Sequence, residues 1–151
     1  MEETATKKKP KINARAKGAR GEKELKGLFL EQLNLHLVRN PDQTPKGGYD
    51  CSLRFDDDLD SPVALPFAFE FKRNESMTPQ NMWKQAISQV TKSCYVPIVV
   101  YKRNYQGWRV VVPWCLITKE LGPYCPTYED AADIGLERFM VMAKNWLTTK
   151  K

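Results

Sequence analysis

LPFAFEFKRNE, residues 65–75, is the stretch that decides the fold, because phenylalanines alternate in it with small or charged residues. Alternate side chains of a β-strand lie on the same face. Glu70 and Lys72 therefore share one face, and Phe69 and Phe71 share the other. Taken alone, this pattern is typical of an ion pair at the end of a strand.

The rest of the chain predicts helices and further strands around this one. Apolar residues at helical spacing predict helices that begin near Gly21, near Pro79 and near Thr127, which is the expected N-cap of the last helix. β-Branched and alternating runs predict strands in residues 35–40, 49–55, 63–72, 97–103 and 108–114. This order of elements predicts an α/β fold with one central mixed β-sheet flanked by helices.

Basic residues are concentrated near the N-terminus. The chain has 151 residues, enough for one domain with a core, and a net charge of +6, which favours a polyanionic partner. Seven Lys and Arg side chains, and no acidic ones, lie between residues 7 and 20. We expect residues 1–17 to form a flexible basic arm and residues 18–151 a single domain with a C-terminal helix. The arm is compatible with a solvated tail and with phosphate binding.

Several kinds of site and location are disfavoured by the residue types present. The four cysteines form no CxxC pair and His36 is the only histidine, so neither a structural zinc site nor a histidine-based nucleophile is expected. No apolar run approaches the ~20 residues that span a bilayer, and the basic N-terminus lacks the apolar region of a secretory signal. We expect a cytoplasmic protein with reduced thiols and no membrane partner.

Two carboxylates earlier in the chain are candidates to meet Glu70 at one end of the sheet. Glu22 falls at the edge of the apolar stripe of the first helix, and Asp50 follows a Gly-Gly pair at the start of a strand. Oxygen ligands without His or Cys favour Mg²⁺ or Mn²⁺. Asp50 and Glu70 could hold such an ion, and Lys72 could position or deprotonate a water that attacks a phosphodiester.

These motifs resemble those of the PD-(D/E)XK nucleases, and more closely the Holliday-junction-resolvase-like members carried by phages and archaea. The resemblance rests on GE at Glu22, on GGYD ending at Asp50 and on EFK starting at Glu70, with intervals of 28 and 20 residues. It covers residues from about 17 to about 114. Tyr49 stands where the motif has a proline, and the helix after Tyr124 has no counterpart in the pattern.

The resemblance implies a restriction-endonuclease-like core and an endonuclease that depends on Mg²⁺ or Mn²⁺. The implied active-site residues are Glu22, Asp50, Glu70, Lys72 and Gln85. The implied metal ligands are Asp50, Glu70 and the backbone carbonyl of Phe71. Gln85 is preferred over the alternative, Gln89, because Gln89 lies nearer the apolar face of the helix that follows Pro79.

We expect the substrate to be branched DNA. A four-way junction has near two-fold symmetry, which favours a homodimer, and nothing resembles a recognition helix for reading bases. The DNA contacts are expected from Lys11, Arg15, Lys17, Arg20 and Lys23. The alternatives are a PD-(D/E)XK nuclease of restriction or repair type that acts on other DNA, and a basic nucleic-acid-binding protein without catalysis.

Two other groups of residues look functional but are interpreted as structural. Asp56, Asp57, Asp58 and Asp60 are adjacent in sequence rather than drawn from separate elements, so we interpret them as a solvated turn. Trp83 and Trp108 are interpreted as core residues rather than as platforms for base stacking.

Overall fold

The part of the chain that the structure describes contains three helices and six strands. The computed structural model describes residues 14–41, 49–73, 76–90, 95–103, 105–114, 116 and 131–149. The helices are α1 (Ala14–Leu33), α2 (Pro79–Val90) and α3 (Leu136–Thr149). The strands are β1 (His36–Arg39), β2 (Cys51–Arg54), β3 (Val63–Lys72), β4 (Val96–Tyr101), β5 (Arg109–Pro113) and β6 (Ala131–Gly135). Within these ranges, no helix has the length and hydropathy needed to span a membrane.

All six strands belong to one sheet, in the order β1-β2-β3-β4-β5-β6. Among these six described strands, β3 and β4 pair in parallel, and the other neighbours are antiparallel. A parallel pair needs a crossover connection, and α2 provides it. The predicted α/β fold with a central mixed sheet is therefore confirmed.

The two faces of the sheet have separate cores. On one face, α1 and α3 pack over β3, where the Phe69 ring lies 5.4 Å from that of Phe29 and 6.3 Å from that of Phe139. On the other face, α2 packs Met82 and Trp83 over β4 and β5. Trp83 is fully buried there, and Trp108 is buried in the first core, so their interpretation as core residues is confirmed.

The first helix begins at Ala14, earlier than the predicted start near Gly21. The reason is that residues 14–17 are alanines and basic residues, which have high helix propensity. A glycine suits position 21, although it lowers helix propensity, because α1 packs there very closely against the side chains of Trp108 and Arg73. A Cβ on Gly21 would lie 3.1 Å from a ring carbon of Trp108 and 3.2 Å from Cγ of Arg73.

The last helix begins at Leu136, later than predicted, because residues Ala131–Gly135 form the edge strand β6. Contacts with neighbouring strands determine that this segment forms a strand instead of the start of the helix. Asp133 accepts hydrogen bonds from Nε of Arg109 on its carboxylate and from Nη2 on its carbonyl, both at 2.9 Å, and also binds the hydroxyl of Tyr101. These contacts do not show in the sequence of the segment itself. The expected N-cap Thr127 lies outside the described residues.

The ends of the sheet differ. The parallel strands β3 and β4 finish at the same end, where β2 and β5 begin. We refer to this end as the site end. At the opposite end, residues 55–62 connect β2 to β3, and we refer to residues 55–60 as the acidic turn. The first half of α1 reaches the site end, because Glu22 contacts both Arg39 and Cys51.

Candidate functional site

Asp50 is fixed at the site end by the main chain on both sides. Its N–H donates to the carbonyl of Phe69 at 2.9 Å, and its carbonyl accepts from the N–H of Asn40 at 2.8 Å. Its carboxylate also accepts the N–H of Phe71, with Oδ2 at 2.8 Å. The side chain is therefore held against the last residues of β3.

Glu70 is buried close to Asp50, with only 5% of its surface exposed. Its carboxylate lies 3.5 Å from Nζ of Lys72, on the α2 face of the sheet. Burial, and then the negative charge of Asp50, raise the pKa of Glu70 to about 7, although Lys72 opposes this. The single ammonium group of Lys72 therefore does not cancel the rise in the Glu70 pKa that burial and the nearby Asp50 carboxylate cause.

The backbone of Phe71 contributes an oxygen on the same side as Asp50. The N–H of Phe71 donates to the Asp50 carboxylate. In a strand, the N–H and the carbonyl of one residue point toward the same neighbour. The carbonyl of Phe71 therefore faces the β2 side, where the Asp50 carboxylate lies, while its ring packs against the core under α1.

This donor set fits a hard divalent cation. Asp50 and Glu70 bring two carboxylates together with a backbone carbonyl, and a cation beside them would relieve the repulsion that raises the Glu70 pKa. Among the described residues, no group of three or more His, Cys, Asp or Glu side chains could hold a metal. Two protein carboxylates suffice for Mg²⁺, which commonly retains water and binds substrate phosphate at its other positions.

Glu22 lies on the other side of the sheet from Glu70. Its Oε1 accepts from the thiol of Cys51 at 3.4 Å, and its Oε2 lies 3.4 Å from Nη2 of Arg39. Burial, and then Glu22, raise the pKa of the Cys51 thiol, which therefore stays protonated as the donor. Because Cys51 follows Asp50 in the chain, Glu22 is linked to the acid pair through β2.

The two glutamines of α2 differ in exposure. Gln85 is exposed, and Gln89 is half-buried. Gln89 follows the buried Met82 by seven residues, which is about two helical turns, so it lies on the side that faces the sheet. The preference for Gln85 over Gln89 stays a prediction.

Of the basic residues predicted to contact DNA, Arg20 and Lys23 are exposed on the first half of α1. Arg15 and Lys17 lie within α1, but their side chains are not described, and Lys11 lies outside the described residues.

Three further basic residues at the site end were not identified from the sequence. Arg73 follows β3, and Lys102 and Arg103 follow β4. The N–H of Lys102 donates to the carbonyl of Lys72 at 3.0 Å, so the two strand ends lie side by side. The sequence repeats an aromatic-Lys-Arg triplet at residues 71–73 and 101–103. This repeat indicates a shared basic surface only once β3 and β4 are known to pair in parallel.

The acidic turn is exposed to solvent. Asp56, Asp57, Asp58 and Asp60 are all exposed, and the Asp58 carboxylate accepts the N–H of Asp60 at 3.0 Å. The interpretation of this segment as a solvated turn is confirmed, and it lies at the opposite end of the sheet from Glu70.

One comparison with known proteins gives a match. The sequence model of a family described as "Phage putative PDDEXK endonuclease" matches residues 13–146, which is most of the chain. Searches of the curated proteins and of the solved structures found no match. The family match supports membership of the PD-(D/E)XK superfamily, and the mixed sheet with flanking helices is consistent with a restriction-endonuclease-like core.

Proposed function

Because the chain belongs to the family of phage PDDEXK endonucleases, we propose that it is a Mg²⁺-dependent endodeoxyribonuclease that cuts branched DNA, like the Holliday junction resolvases. The observation that carries the proposal is the grouping of Asp50, Glu70 and Lys72 at one end of the sheet. Mn²⁺ has the same ligand preference and is expected to replace Mg²⁺.

The carboxylates of Asp50 and Glu70 and the carbonyl of Phe71 would hold the ion. When bound, a divalent cation activates water as a nucleophile and offsets negative charge on the phosphoryl oxygens. The N–H of Phe71 orients the Asp50 carboxylate by a hydrogen bond of 2.8 Å. This contact fixes one ligand before substrate binds, so less reorganisation is needed during the reaction.

Lys72 would act on the water or on the phosphate. Its ammonium group lies 3.5 Å from Glu70 and remains partly exposed, with 26% of the side chain accessible. An ammonium group in this position can donate to a phosphate oxygen and can orient a water beside Glu70. Phe69 and Phe71 pack on the opposite face and thereby hold the strand that carries both groups.

Glu22 and the α2 glutamine would have supporting roles. Glu22 contacts Cys51 and Arg39, so its effect on the acid pair would come through the start of β2. We propose that it orients Asp50, and that either Gln85 or Gln89 contacts the DNA or the attacking water from α2. Replacement of Glu22 by Gln should then reduce cleavage less than replacement of Asp50.

The DNA would approach the site end along α1. Arg20 and Lys23 are exposed there, and Lys102 and Arg103 follow β4. We propose that Lys11, together with Arg15 and Lys17 in the first turn of α1, adds further phosphate contacts. Such contacts depend on salt and carry no sequence information.

We also propose that the active form is a homodimer. Junction cleavage needs two matched cuts, and α3 carries an exposed Val141 (53%) opposite its buried Phe139 and Ala143. A Val141→Glu variant should sediment as a monomer where the wild type sediments as a dimer. A wild-type monomer in the presence of a junction would reject this part of the proposal.

The test of the function is cleavage of a synthetic four-way junction and of a linear duplex with the same sequence, with Mg²⁺ or with EDTA. We expect Mg²⁺-dependent cleavage that is faster on the junction. Equal rates on both DNAs would reject the preference for branched DNA and favour a nuclease of restriction or repair type. Binding without Mg²⁺- or Mn²⁺-dependent cleavage of either DNA would favour a non-catalytic nucleic-acid-binding protein.

A further inference from the structure

Two described residues other than glycine have a positive φ, and they differ in how well they suit it. Asn34, with φ of 55°, follows the end of α1, and its N–H donates to the carbonyl of Leu30 at 3.0 Å. This is a common way to end a helix, and Asn tolerates the left-handed conformation. The second residue, Tyr105, has φ of 62°. Its bulky side chain is disfavoured in that region.

Tyr105 lies in a tight turn between β4 and β5. The N–H of Gln106 donates to the carbonyl of Arg103 at 3.2 Å, which makes Tyr105 the third residue of a β-turn. Turns with positive φ at this position usually contain Gly or Asn. The Tyr105 side chain is also fully exposed, so packing against the protein does not compensate for the unfavourable backbone.

An aromatic residue that is both exposed and conformationally disfavoured needs a reason outside the folded chain. Such outliers concentrate at functional sites, and the inference runs from the outlier to a function. Tyr105 lies at the site end, in the turn that starts at Arg103, directly after the strand that pairs with the Glu70 strand.

The residues before Tyr105 supply positive charge. Nη2 of Arg103 donates to the carbonyl of Met77 at 3.1 Å, which fixes the guanidinium at the start of α2. Within the described residues, neither Arg103 nor Arg73 forms an ion pair. Nζ of Lys102 lies 3.8 Å from Glu24 and 5.5 Å from the centre of the Trp108 ring. The turn therefore projects an aromatic ring next to cations that can contact phosphates.

We propose that Tyr105 stacks on a base exposed at the branch of the DNA, while Lys102 and Arg103 contact the flanking phosphates. This inference rests on the proposed function and extends it to the feature of the substrate that is recognised. Aromatic side chains stack on bases whatever the sequence. Stacking is favoured at the branch, because separating a base from its remaining neighbour costs less there than unstacking an intact duplex.

The chain contains a matched control for an exposed aromatic residue. Phe55 is 51% exposed, and it lies in the acidic turn at the opposite end of the sheet. The neighbouring aspartates would repel a phosphate backbone. Phe55→Ala removes an exposed aromatic ring without affecting the proposed contact.

The experiment uses a four-way junction with 2-aminopurine at positions next to the branch, and a duplex labelled in the same sequence, both in EDTA so that no cleavage occurs. Fluorescence of 2-aminopurine rises when the base loses its stacking with other bases. We expect the full-length wild type to raise the fluorescence of the junction at a branch position. Tyr105→Ala should abolish that rise and weaken junction binding about tenfold, with duplex binding unchanged.

Tyr105→Phe and Phe55→Ala should both behave as the wild type. Tyr105→Asn, which suits positive φ, should fold at least as stably as the wild type and lose the fluorescence change like the alanine variant. An unaltered rise in Tyr105→Ala and Tyr105→Asn would overturn the proposal. So would junction binding by the wild type without a rise at any branch position, or equal losses of affinity for junction and duplex.

Failure of the proposed function gives a different result. If the wild type binds neither DNA, both proposals are rejected together. If the wild type binds the junction and raises the fluorescence in a Tyr105-dependent way but cleaves neither DNA with Mg²⁺ or Mn²⁺, the nuclease proposal is rejected and branch stacking stands. Cleavage with unaltered fluorescence in the variants rejects branch stacking alone.

Discussion

The two ends of the central sheet both carry carboxylates, but only one end places them in a chemically useful way. At the site end, Asp50 lies just before β2 and Glu70 lies in β3, so they come from separate segments of the chain, and Glu70 is buried beside Lys72. In the acidic turn, four aspartates are adjacent in sequence and exposed. The comparison shows that a candidate metal site depends on burial and on convergence of separate elements, rather than on the number of acids.

The two ends of the sheet also differ in the charge that they would present to DNA. Four basic residues, Lys72, Arg73, Lys102 and Arg103, follow or end the two parallel strands at the site end. The acidic turn presents only negative side chains besides Phe55 and Leu59. A polyanion would therefore be attracted to one end and repelled from the other. This polarity would direct a phosphate backbone toward Glu70.

The largest effect is expected from removing one member of the acid pair. Asp50→Asn and Glu70→Gln should each lower the single-turnover cleavage rate by about a thousandfold or more, because either change removes an ionised ligand of the metal. Binding of the junction at low salt should persist. The matched control at the other end is Asp57→Asn, which should cleave at the wild-type rate. Near-full activity in either site variant would mean that the metal is held elsewhere.

The second expected effect is on stability in the absence of metal. Burial and Asp50 raise the pKa of Glu70 from 4.5 to about 7. As the pH rises through this interval, the carboxyl ionises in the unfolded chain before it does so in the folded chain, so ionisation favours unfolding. The free energy of unfolding should therefore fall between pH 4.5 and pH 7, by up to about 3 kcal/mol, and then level off.

Urea unfolding in EDTA across this pH range provides the measurement. Glu70→Gln cannot ionise and should lose this fall, whereas Asp57→Asn should retain it because that side chain is exposed. Added Mg²⁺ should restore stability at pH 8 in the wild type but not in Glu70→Gln, since ligand binding to the folded state stabilises it. Parallel pH profiles for the wild type and Glu70→Gln would contradict the buried acid pair.

A smaller effect is expected on DNA affinity. Lys102→Gln and Arg103→Gln should each reduce by about 1 the steepness with which log affinity falls with log salt concentration, because each removes one phosphate contact. Removal of a negative charge from the acidic turn, as in Asp58→Asn, should leave that slope unchanged. Equal slopes for all of these variants and the wild type would show that DNA does not contact the site end through β4.

Much of this arrangement was predictable, because the relevant signals are local. The alternation in β3 predicted which residues share a face, and β3 forms over the predicted residues Val63–Lys72. Local sequence patterns were poorer predictors for segments whose secondary structure is determined by contacts with distant parts of the chain. Residues Ala131–Gly135 contain helix-compatible alanines, but they form a strand because Asp133 contacts Arg109 and Tyr101 from two other strands.

The candidate site shows the same limit. The motifs at Asp50 and Glu70 could be found along the chain, and the structure places those residues together. Arg73 and Arg103 could not be assigned to one end of the sheet before the parallel pairing of β3 and β4 was known. The exposure of Tyr105 and its positive φ depend on a turn whose backbone the residues themselves do not favour.

The smallest effect distinguishes the two glutamines of α2. Gln89 is half-buried on the side of α2 that faces the sheet, whereas Gln85 is exposed. The resemblance to the PD-(D/E)XK nucleases implies a glutamine on this helix, and Gln85 is the preferred one. Gln85 also lies closer to the start of α2, which is at the site end, whereas Gln89 is one residue before the end of α2. Replacement of the functional glutamine by Ala should lower the cleavage rate about tenfold, which corresponds to the loss of about one hydrogen bond.

Single-turnover rates of Gln85→Ala and Gln89→Ala decide between the two glutamines. The unfolding midpoint of each variant is measured as well, to separate lost catalysis from lost packing. A full rate in both variants would remove α2 from the active site and leave the acid pair and Lys72 as its essential residues.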